Sequence, residues 1–359
     1  MKSIFVASSS PYAGKNLVCL GLAKKFQKDG MRVGYFKPIG TYPVVIEGVL
    51  TDEDVLFYKK ALELKDSLED ISPVILTQNL IDEAFNGKPS RFDGKIKQAY
   101  NKICKDKDVV LVMGMGNLSS GSFLGFSEKE LIEKLNSKVI FVDSLKENVN
   151  DTCDSFLQAK QILKDRLVGV IFNRVAPKKV EYLEKKVIPF LKKKKIDVLG
   201  NIIEDPVLGA VTVKELKEAL NGKILCCMEK QDDMVEHFMI GAMNADAALR
   251  FFKRVTNKAV ITGGDRSDIQ LAALSTSTKC LILTGDMYPE DMIVSKAQEQ
   301  GVPIMVVPSD TLTTVDRFES LLGHLSLRNE SKIPKAAEAV EKSIDFSAIR
   351  KSVGLKKEK

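Results

Sequence analysis

The chain has 359 residues, of which 44% are hydrophobic and 28% are charged, and its formal net charge is +6. This composition is typical of a soluble globular protein with two or three domains. The sequence contains no apolar run of membrane-spanning length, and Met1-Lys2-Ser3 leads directly into a predicted strand rather than a signal peptide. We therefore expect a cytoplasmic protein with no membrane partner.

The supply of reactive side chains argues against several kinds of site. The six cysteines are scattered without a C-x-x-C pair, which predicts a reducing compartment and no zinc site. His237 and His324 are the only histidines, so the chain has few side chains for a histidine-based catalytic mechanism. The positive charge is spread thinly along a chain without tryptophan, and we expect no nucleic-acid partner.

The first predicted strand, at residues 4–7, is joined to a helix from Leu17 to Gly30 by a loop of small residues at 8–16. Such a loop brings backbone N–H groups together at the positive end of the helix, where a phosphate can bind. It is close to the pattern G-x-x-x-x-G-K-[ST], with Ser9 in place of the first glycine. We predict a nucleotide site here, and the alternative is an ordinary loop with a solvated lysine. The predicted contacts are Ser10, Tyr12, Ala13, Gly14, Lys15, Asn16 and Leu17.

A second strand is predicted at residues 33–36 and ends at Lys37-Pro38, before an irregular loop at 40–48. Ligands bind at the carboxyl ends of parallel strands, so Lys37 is either a second phosphate-binding cation or a solvated residue. Before a predicted helix at 55–64, Thr51 or Asp52 can act as the cap. The alternative interpretation of this stretch is functional. In it, the Asp54 carboxylate faces a Mg²⁺ ion that is bound to nucleotide phosphates.

Strands and helices then alternate as far as residue 203. Continuous apolar runs, of which 108–113 is the clearest, are typical of strands that are buried on both faces. The alternation predicts an α/β fold with a P-loop NTPase-like, doubly wound parallel sheet over residues 1–205. The predicted strands are 108–113, 138–143, 167–173 and 195–203, and the predicted helices are 95–105, 127–135 and 150–164.

Residues 1–200 resemble dethiobiotin synthetase and the related cobyrinic acid synthases. The matching residues are Gly14-Lys15, Lys37-Pro38, Gly114 with Gly116, and Asn173. The resemblance implies ATP or another nucleotide as the ligand, with or without Mg²⁺, and Asn173 as a contact to the base. It also implies that Asn16 and Asp54 face the metal and that Lys15 and Lys37 are catalytic in an active enzyme.

Two departures from that family weaken its metal site. Asn16 replaces the metal-binding threonine, and Met113 stands where the family has an acidic residue at the end of a strand. A thioether does not suit Mg²⁺, which prefers hard oxygen ligands, and phosphoryl transfer depends on the metal. We therefore expect nucleotide binding with little or no ATP hydrolysis. An active ATP- and Mg²⁺-dependent ligase of the dethiobiotin synthetase or cobyrinic acid a,c-diamide synthase type is the alternative, and a scaffold without nucleotide is a third.

Pro206 marks a predicted boundary, and residues 206–328 predict a second, smaller α/β domain. Its clearest unit is a strand, a Gly-Gly turn and a helix over residues 258–274, with Asp265 or Ser267 as the predicted helix cap. Asp265 and Arg266 then form a structural pair, or they contact a ligand or a second subunit. The candidate residues for a ligand or interface are Gly263, Gly264, Asp265 and Arg266.

Residues 207–325 resemble the DRTGG domain, whose hallmark segment corresponds to residues 262–268. In long bacterial phosphotransacetylases such a domain follows a dethiobiotin-synthetase-like domain, and catalysis lies in a third domain. The resemblance implies that this chain corresponds to the regulatory part and forms a homodimer. Residues 329–359 are rich in lysine and glutamate and are predicted as a charged tail.

Overall fold

The computed structural model describes residues 2–87, 92–324 and 329–355. The chain divides into two compact units. One unit combines Met1–Glu204 with Glu330–Lys359, and the other is Asp205–Asn329. Residues 356–359, at the end of the predicted charged tail, lie outside the described residues.

The first unit contains strands and helices that alternate along the chain. Its strands are β1 (Ser3–Ser8), β2 (Val33–Phe36), β3 (Ile39–Gly40), β4 (Pro43–Ile46), β5 (Val49–Asp52), β6 (Val74–Ile75), β7 (Val109–Met113), β8 (Lys138–Ser144), β9 (Leu167–Val175) and β10 (Val198–Ile203). Its helices before residue 204 are α1 (Lys15–Lys28), α2 (Glu53–Ala61), α3 (Leu68–Ile71), α4 (Gln78–Phe85), α5 (Asp93–Ile103), α6 (Glu128–Lys134), α7 (Val149–Leu163), α8 (Val180–Tyr182) and α9 (Ile188–Lys193).

The main sheet of this unit has the strand order β10-β9-β8-β1-β7-β2, and all neighbouring strands are parallel. Every residue of β1 and β7 is buried, as expected for strands that are covered on both faces. In the main sheet, the chain first adds β2 and β7 on one side of β1 and then adds β8 on the other side. Because ligands bind where a doubly wound sheet reverses direction, the loop after β1 lies at the expected place. The predicted doubly wound parallel sheet is confirmed.

Residues 40–48 are not irregular throughout, as the sequence suggested. β4 and β5 form an antiparallel hairpin, and Glu47 and Gly48 at its turn have φ angles of 51° and 78°. Two successive residues with positive φ are what a two-residue hairpin turn requires. The turn chemistry was present in the sequence, but the short strands on either side were not recognised.

The second unit is also built on a largely parallel sheet. The order is β12-β17-β16-β15-β14, in which β14 to β17 are parallel and β12 is antiparallel to β17. Alternate residues of β15 belong to two different apolar cores, with Val260 in one and Ala259 and Ile261 in the other. The second α/β domain is therefore confirmed. Its strands are β11 (Val211–Thr212), β12 (Lys223–Ile224), β13 (Met234–Val235), β14 (His237–Ile240), β15 (Lys258–Gly263), β16 (Thr278–Thr284) and β17 (Ile304–Val306), and its helices are α10 (Pro206–Gly209), α11 (Val213–Leu220), α12 (Ala245–Phe252), α13 (Ser267–Leu274), α14 (Asp291–Gln300) and α15 (Thr311–His324).

The structure corrects the expected charged tail over residues 330–355. This segment forms α16 (Ile333–Ser343) and α17 (Phe346–Val353), and both helices belong to the first unit. Val340 packs so closely on α1 that an ideal Cβ at Gly21 would lie 2.2 Å from the Val340 Cβ atom. The segment is charged overall, but its apolar residues recur at helical spacing and form one buried face. The buried apolar residues within the two helices are Ala336, Val340, Phe346 and Ile349.

Candidate functional site

The loop between β1 and α1 contains two residues in the left-handed region of backbone conformation. Gly14, immediately before α1, has a φ angle of 111°, and Tyr12 has a φ angle of 61°. An ideal Cβ at Gly14 would lie 2.0 Å from Asn173 Nδ2, so the loop requires glycine there for both conformation and space. The first turn of α1 contains no acidic residue that would oppose an anion at the helix N-terminus.

Lys15 is buried and turned inward beneath this loop. Its Nζ atom donates to Ser8 Oγ at 2.6 Å, to Gly116 O at 3.1 Å and to Ser10 O at 3.3 Å. Burial lowers the pKa of Lys15, and the nearby Glu128 carboxylate acts in the opposite direction. The three acceptors hold the ammonium group at the carboxyl edge of the sheet, and its contact to a phosphate stays a prediction.

Asn173, at the end of β9, braces the loop from the other side. Its Nδ2 atom donates to Ala13 O at 3.1 Å, and Ser144 Oγ donates to the same carbonyl at 3.3 Å. Asn173 therefore lies beside the predicted site, but the contact that the structure gives it is to the loop. Its implied contact to a nucleotide base stays a prediction.

The two positions that depart from the glycine-rich pattern, Ser9 and Asn16, both make hydrogen bonds, but only that of Ser9 involves its side chain. Ser9, in place of the first glycine, donates through Oγ to Asp143 Oδ2 at 2.5 Å. Asp143 is the penultimate residue of the neighbouring strand β8 and also accepts from Ser155 Oγ at 2.7 Å. Asn16 lies in the first turn of α1, where its carbonyl oxygen accepts from Tyr58. Leu17, the last predicted contact, has a buried side chain, so only its backbone is suited to a ligand.

Lys37 is held by two carboxylates rather than solvated. Its Nζ atom donates to Asp52 Oδ1 and Oδ2 at 2.8 and 2.9 Å and to Asp54 Oδ2 at 2.7 Å, and all three side chains are buried. Asp52 also accepts from the Asp54 N–H, which confirms it as the predicted cap of α2. A phosphate at Lys37 would have to compete with two carboxylates that are already in place.

The residues that could face a metal are only partly those predicted. Asp54 is engaged with Lys37, and Met113 is buried with a side chain that does not suit Mg²⁺. No group of three or more His, Cys, Asp or Glu side chains in the described ranges 2–87, 92–324 and 329–355 could hold a metal ion by itself. A metal here would therefore depend on nucleotide phosphates for several of its ligands, as Mg²⁺ commonly does.

Glu128 is the functional candidate that the sequence did not reveal. It is the first residue of α6 and is completely buried, and its Oε2 atom accepts from the N–H of Met115 at 2.7 Å. Its Oε1 atom is buried and has no hydrogen-bond partner among the described residues. An orphaned hard oxygen beside Lys15 fits a metal better than Met113 does. In the sequence Glu128 looks like an ordinary acid in the first turn of a helix, and only the preceding capping residue Ser127 marks its position.

The Gly-Gly turn in the second unit is closed by its own protein contacts. An ideal Cβ at Gly264 would lie 2.2 Å from Met287 O, and buried Gln270 donates through Nε2 to Gly263 O and Gly264 O at 3.2 and 3.0 Å. Neither predicted cap is correct, because the N-cap position of α13 is Arg266 and no side chain caps it.

Arg266 forms its ion pair with Asp268, not with Asp265. It also donates to Met243 O at 2.9 Å. Asp265 is exposed, and the reversal of the chain at the turn leaves it on the outside. A ligand or subunit contact at this turn stays a prediction.

Family comparisons agree with this architecture. An AAA domain model matches residues 2–237, which is more than half of the chain, and the protein belongs to that family of P-loop domains. A DRTGG domain model matches residues 215–321. The chain therefore combines a P-loop domain with a DRTGG domain.

The curated relatives are phosphate acetyltransferases. The enzyme of Synechocystis is 25% identical over an alignment of 357 positions, which covers 96% of this chain and 50% of the relative. The Escherichia coli enzyme is 23% identical over an alignment of 392 positions, which covers 95% of this chain and 51% of the relative. The chain thus spans about half the length of the curated relatives it matches.

The solved structures that match parts of this chain are more distant in sequence. MinD of Pyrococcus horikoshii in complex with Mg-ADP is 19% identical with a TM-score of 0.34, and the match covers 58% of this chain and 83% of MinD. The regulatory region of a Clostridium perfringens pyrophosphatase with diadenosine tetraphosphate is 17% identical with a TM-score of 0.27. That match covers 37% of this chain and 50% of the pyrophosphatase chain. In the described part of the chain, no helix is both long and apolar enough to cross a membrane.

Proposed function

We propose that this protein is a nucleotide-binding regulatory protein that corresponds to the non-catalytic N-terminal part of its phosphate acetyltransferase relatives. The loop at 8–16 takes the phosphates of ATP or another nucleotide. The observation that carries the proposal is the left-handed Gly14 at the start of α1, with the Lys15 ammonium group buried directly beneath it. Backbone N–H groups, the helix dipole and a fixed cation then converge on one anion.

The same surroundings favour binding without efficient hydrolysis. Phosphoryl transfer requires a metal between the terminal phosphates, and the acid expected at position 113 is a methionine. Lys37, the second cation expected at the phosphates, is neutralised by Asp52 and Asp54. An active ligase would need Lys37 to leave both carboxylates, which is costly in a buried position. We therefore place the ligase second.

The first experiment measures the thermal shift and the release of ADP from the full chain with ATP and Mg²⁺. We expect stabilisation without turnover, because a ligand that binds only the folded state raises its melting temperature. Turnover with a diaminononanoate or cobyrinate substrate would support the ligase instead. The absence of a shift with any nucleotide would contradict both and leave the scaffold.

The matched variants are Lys15→Ala and Lys24→Ala, both on α1. Lys15→Ala removes the buried cation, and we expect the ATP-dependent shift to disappear, since the loop then lacks its only full positive charge. Lys24→Ala removes a lysine of the same helix that lies away from the loop, and the shift should persist. Equal shifts in the two variants would show that the loop is not the binding site.

A homodimer is a further prediction of the resemblance, whereas a cytoplasmic location is a prediction from the composition of the chain. Sedimentation of the purified full chain, with and without ATP, measures the oligomeric state. A monomer at micromolar concentration under both conditions would contradict the dimer and would leave the nucleotide site untouched.

A further inference from the structure

Lys15 and Glu128 contact the same loop residue through its two backbone groups. Lys15 Nζ donates to Gly116 O at 3.1 Å, while Glu128 Oε2 accepts from Gly116 N at 3.4 Å and from Met115 N at 2.7 Å. The loop at 114–116 follows β7, the strand next to β1, so both side chains lie at the carboxyl edge of the sheet. The acid is therefore part of the surroundings of the phosphate loop although it comes from a distant helix.

The place of the Glu128 carboxylate is a specific feature of the fold. An ideal Cβ at Gly114 would lie 2.7 Å from each carboxylate oxygen, so the group fits only because position 114 is glycine. The Oε2 atom is held by backbone N–H groups, and the Oε1 atom is buried without a hydrogen-bond partner in the described part of the chain. A buried oxygen acceptor without a partner costs free energy, which indicates a partner that arrives with a ligand.

The charges around the loop also call for a cation. Lys37 is already matched by Asp52 and Asp54. Lys15 is then left with two buried carboxylates, Glu128 and Asp143, and each of these has one oxygen without a hydrogen-bond partner among the described residues. A polyphosphate would add further negative charge to a poorly solvated region, where like charges repel strongly. A hard divalent cation between the phosphates and a carboxylate removes this repulsion.

On the basis of the proposed nucleotide site, we propose that Glu128 provides the carboxylate ligand for a divalent cation, so that the loop binds a nucleotide as its metal chelate. Glu128 then replaces the acidic metal ligand that is missing at position 113, although it belongs to a different element of the fold. Met113 ends β7 and Glu128 begins α6, and the glycine at 114 makes room for this exchange. Asn16, in the first turn of α1, would provide a second oxygen ligand through its side-chain amide.

The test is calorimetric titration of ADP into the full chain, once with Mg²⁺ and once with a chelator, for the wild type, Glu128→Gln and Glu133→Gln. Glu133 is an exposed acid on the same helix, and its substitution makes the same change of charge. We expect Mg²⁺ to tighten ADP binding by about tenfold or more in the wild type and in Glu133→Gln, by analogy with the effect of other groups that orient a metal site. In Glu128→Gln the affinity should be the same with and without Mg²⁺.

A second measurement does not depend on affinity. With Mn²⁺ in place of Mg²⁺, paramagnetic resonance should detect protein-bound Mn²⁺ in the ADP complex of the wild type and of Glu133→Gln, and not in that of Glu128→Gln. If Glu128→Gln fails to fold, as judged by its melting profile, Glu128→Asp replaces it. This variant keeps the charge on a shorter side chain, and we expect it to retain only part of the Mg²⁺ effect.

Each outcome separates this proposal from the proposed function. If the wild type binds ADP equally well without Mg²⁺, or if folded Glu128→Gln keeps the full Mg²⁺ effect, Glu128 is not the metal ligand although the nucleotide site stands. Uptake of a proton on ADP binding, without any Mg²⁺ effect, would mean that Glu128 is neutralised by protonation and would overturn the proposal. If the wild type binds no nucleotide under either condition, both proposals are wrong.

Discussion

The loop at 8–14 and the turn at 263–266 have the same local design with different surroundings. Each joins a buried parallel strand to a helix, β1 to α1 and β15 to α13, and each contains a glycine that has no room for a side chain. Around the first loop the side chains are buried and charged. Around the second turn the buried contact is the neutral Gln270, and the arginine is paired with Asp268 at the surface.

This difference shows that a strand, a glycine turn and a helix do not by themselves make an anion site. Helix termini provide only partial charges, and a partly exposed ion pair such as Arg266–Asp268 contributes little. A buried ammonium group such as that of Lys15 interacts much more strongly, because water does not screen it. We therefore assign ligand binding to the first loop with more weight than to the second turn.

We expect substitutions among the charged side chains around the first loop to cost more stability than substitutions around the second turn. Lys37→Met is the strongest test of this difference. The substitution keeps the volume and leaves Asp52 and Asp54 buried without their cation. We expect a loss of about 3–5 kcal/mol in the free energy of unfolding, measured by urea denaturation. Lys102→Met, which breaks a surface pair with Asp70, should cost less than about 1 kcal/mol. Equal losses of unfolding free energy in the two variants would mean that burying Asp52 and Asp54 without their cation is not costly.

The two glycines should differ in the way their replacement can be rescued. Gly14→Ala meets the Asn173 side chain and also has an unfavourable φ angle, whereas Gly264→Ala meets the backbone oxygen of Met287. We expect each to cost about 1–3 kcal/mol in urea denaturation. Adding Asn173→Ala should recover part of the loss from Gly14→Ala, since the side-chain clash disappears.

The corresponding control is Met287→Ala on the background of Gly264→Ala. It should recover little, because the obstructing atom belongs to the main chain. Recovery of equal size at both positions would contradict the contacts described here, and double-mutant cycles measure the two coupling energies directly.

Much of the fold could be predicted because its signals are local. The apolar runs at 108–113 and 138–143 correspond to β7 and β8. The glycine and lysine after β1 lie where the strand order of the sheet reverses direction. Pairing between distant residues was not accessible in this way. Nothing in the sequence around Lys37 distinguishes an ion pair with Asp52 from a solvated lysine, since the contact depends on the hairpin of β4 and β5.

Composition misled the interpretation at two places. The lysines and glutamates of residues 330–355 suggested a tail, although Ala336 and Val340 lie on one helix face, four residues apart. Glu128 was overlooked because an acid in the first turn of a helix has an ordinary explanation. Its burial depends on Gly114, fourteen residues earlier in the chain, and is visible only once the loop after β7 is placed.

The last effect concerns Lys258, a buried lysine of the second unit. Its side chain is completely buried, and its Nζ atom donates to Val255 O, Thr276 Oγ1 and Ser277 O at 3.1, 2.9 and 2.9 Å. No carboxylate in the described residues lies within ion-pair distance of it, whereas the charge of the Glu128 carboxylate acts on Lys15. Burial lowers the pKa of Lys258 to about 8, from an ordinary value of 10.5.

A lysine with a lowered pKa in the folded state makes stability depend on pH in a defined direction. Below about pH 8 the group is protonated in both states, and between about pH 8 and 10.5 the unfolded chain binds the additional proton. Stability therefore rises with pH through this window, by at most about 1.4 kcal/mol per pH unit for one proton. Lys258→Met should remove this part of the slope, measured as the difference between the urea denaturation curves of the two proteins at several pH values. Parallel pH profiles would mean that Lys258 titrates normally, and that burial without a carboxylate does not depress a lysine in this fold.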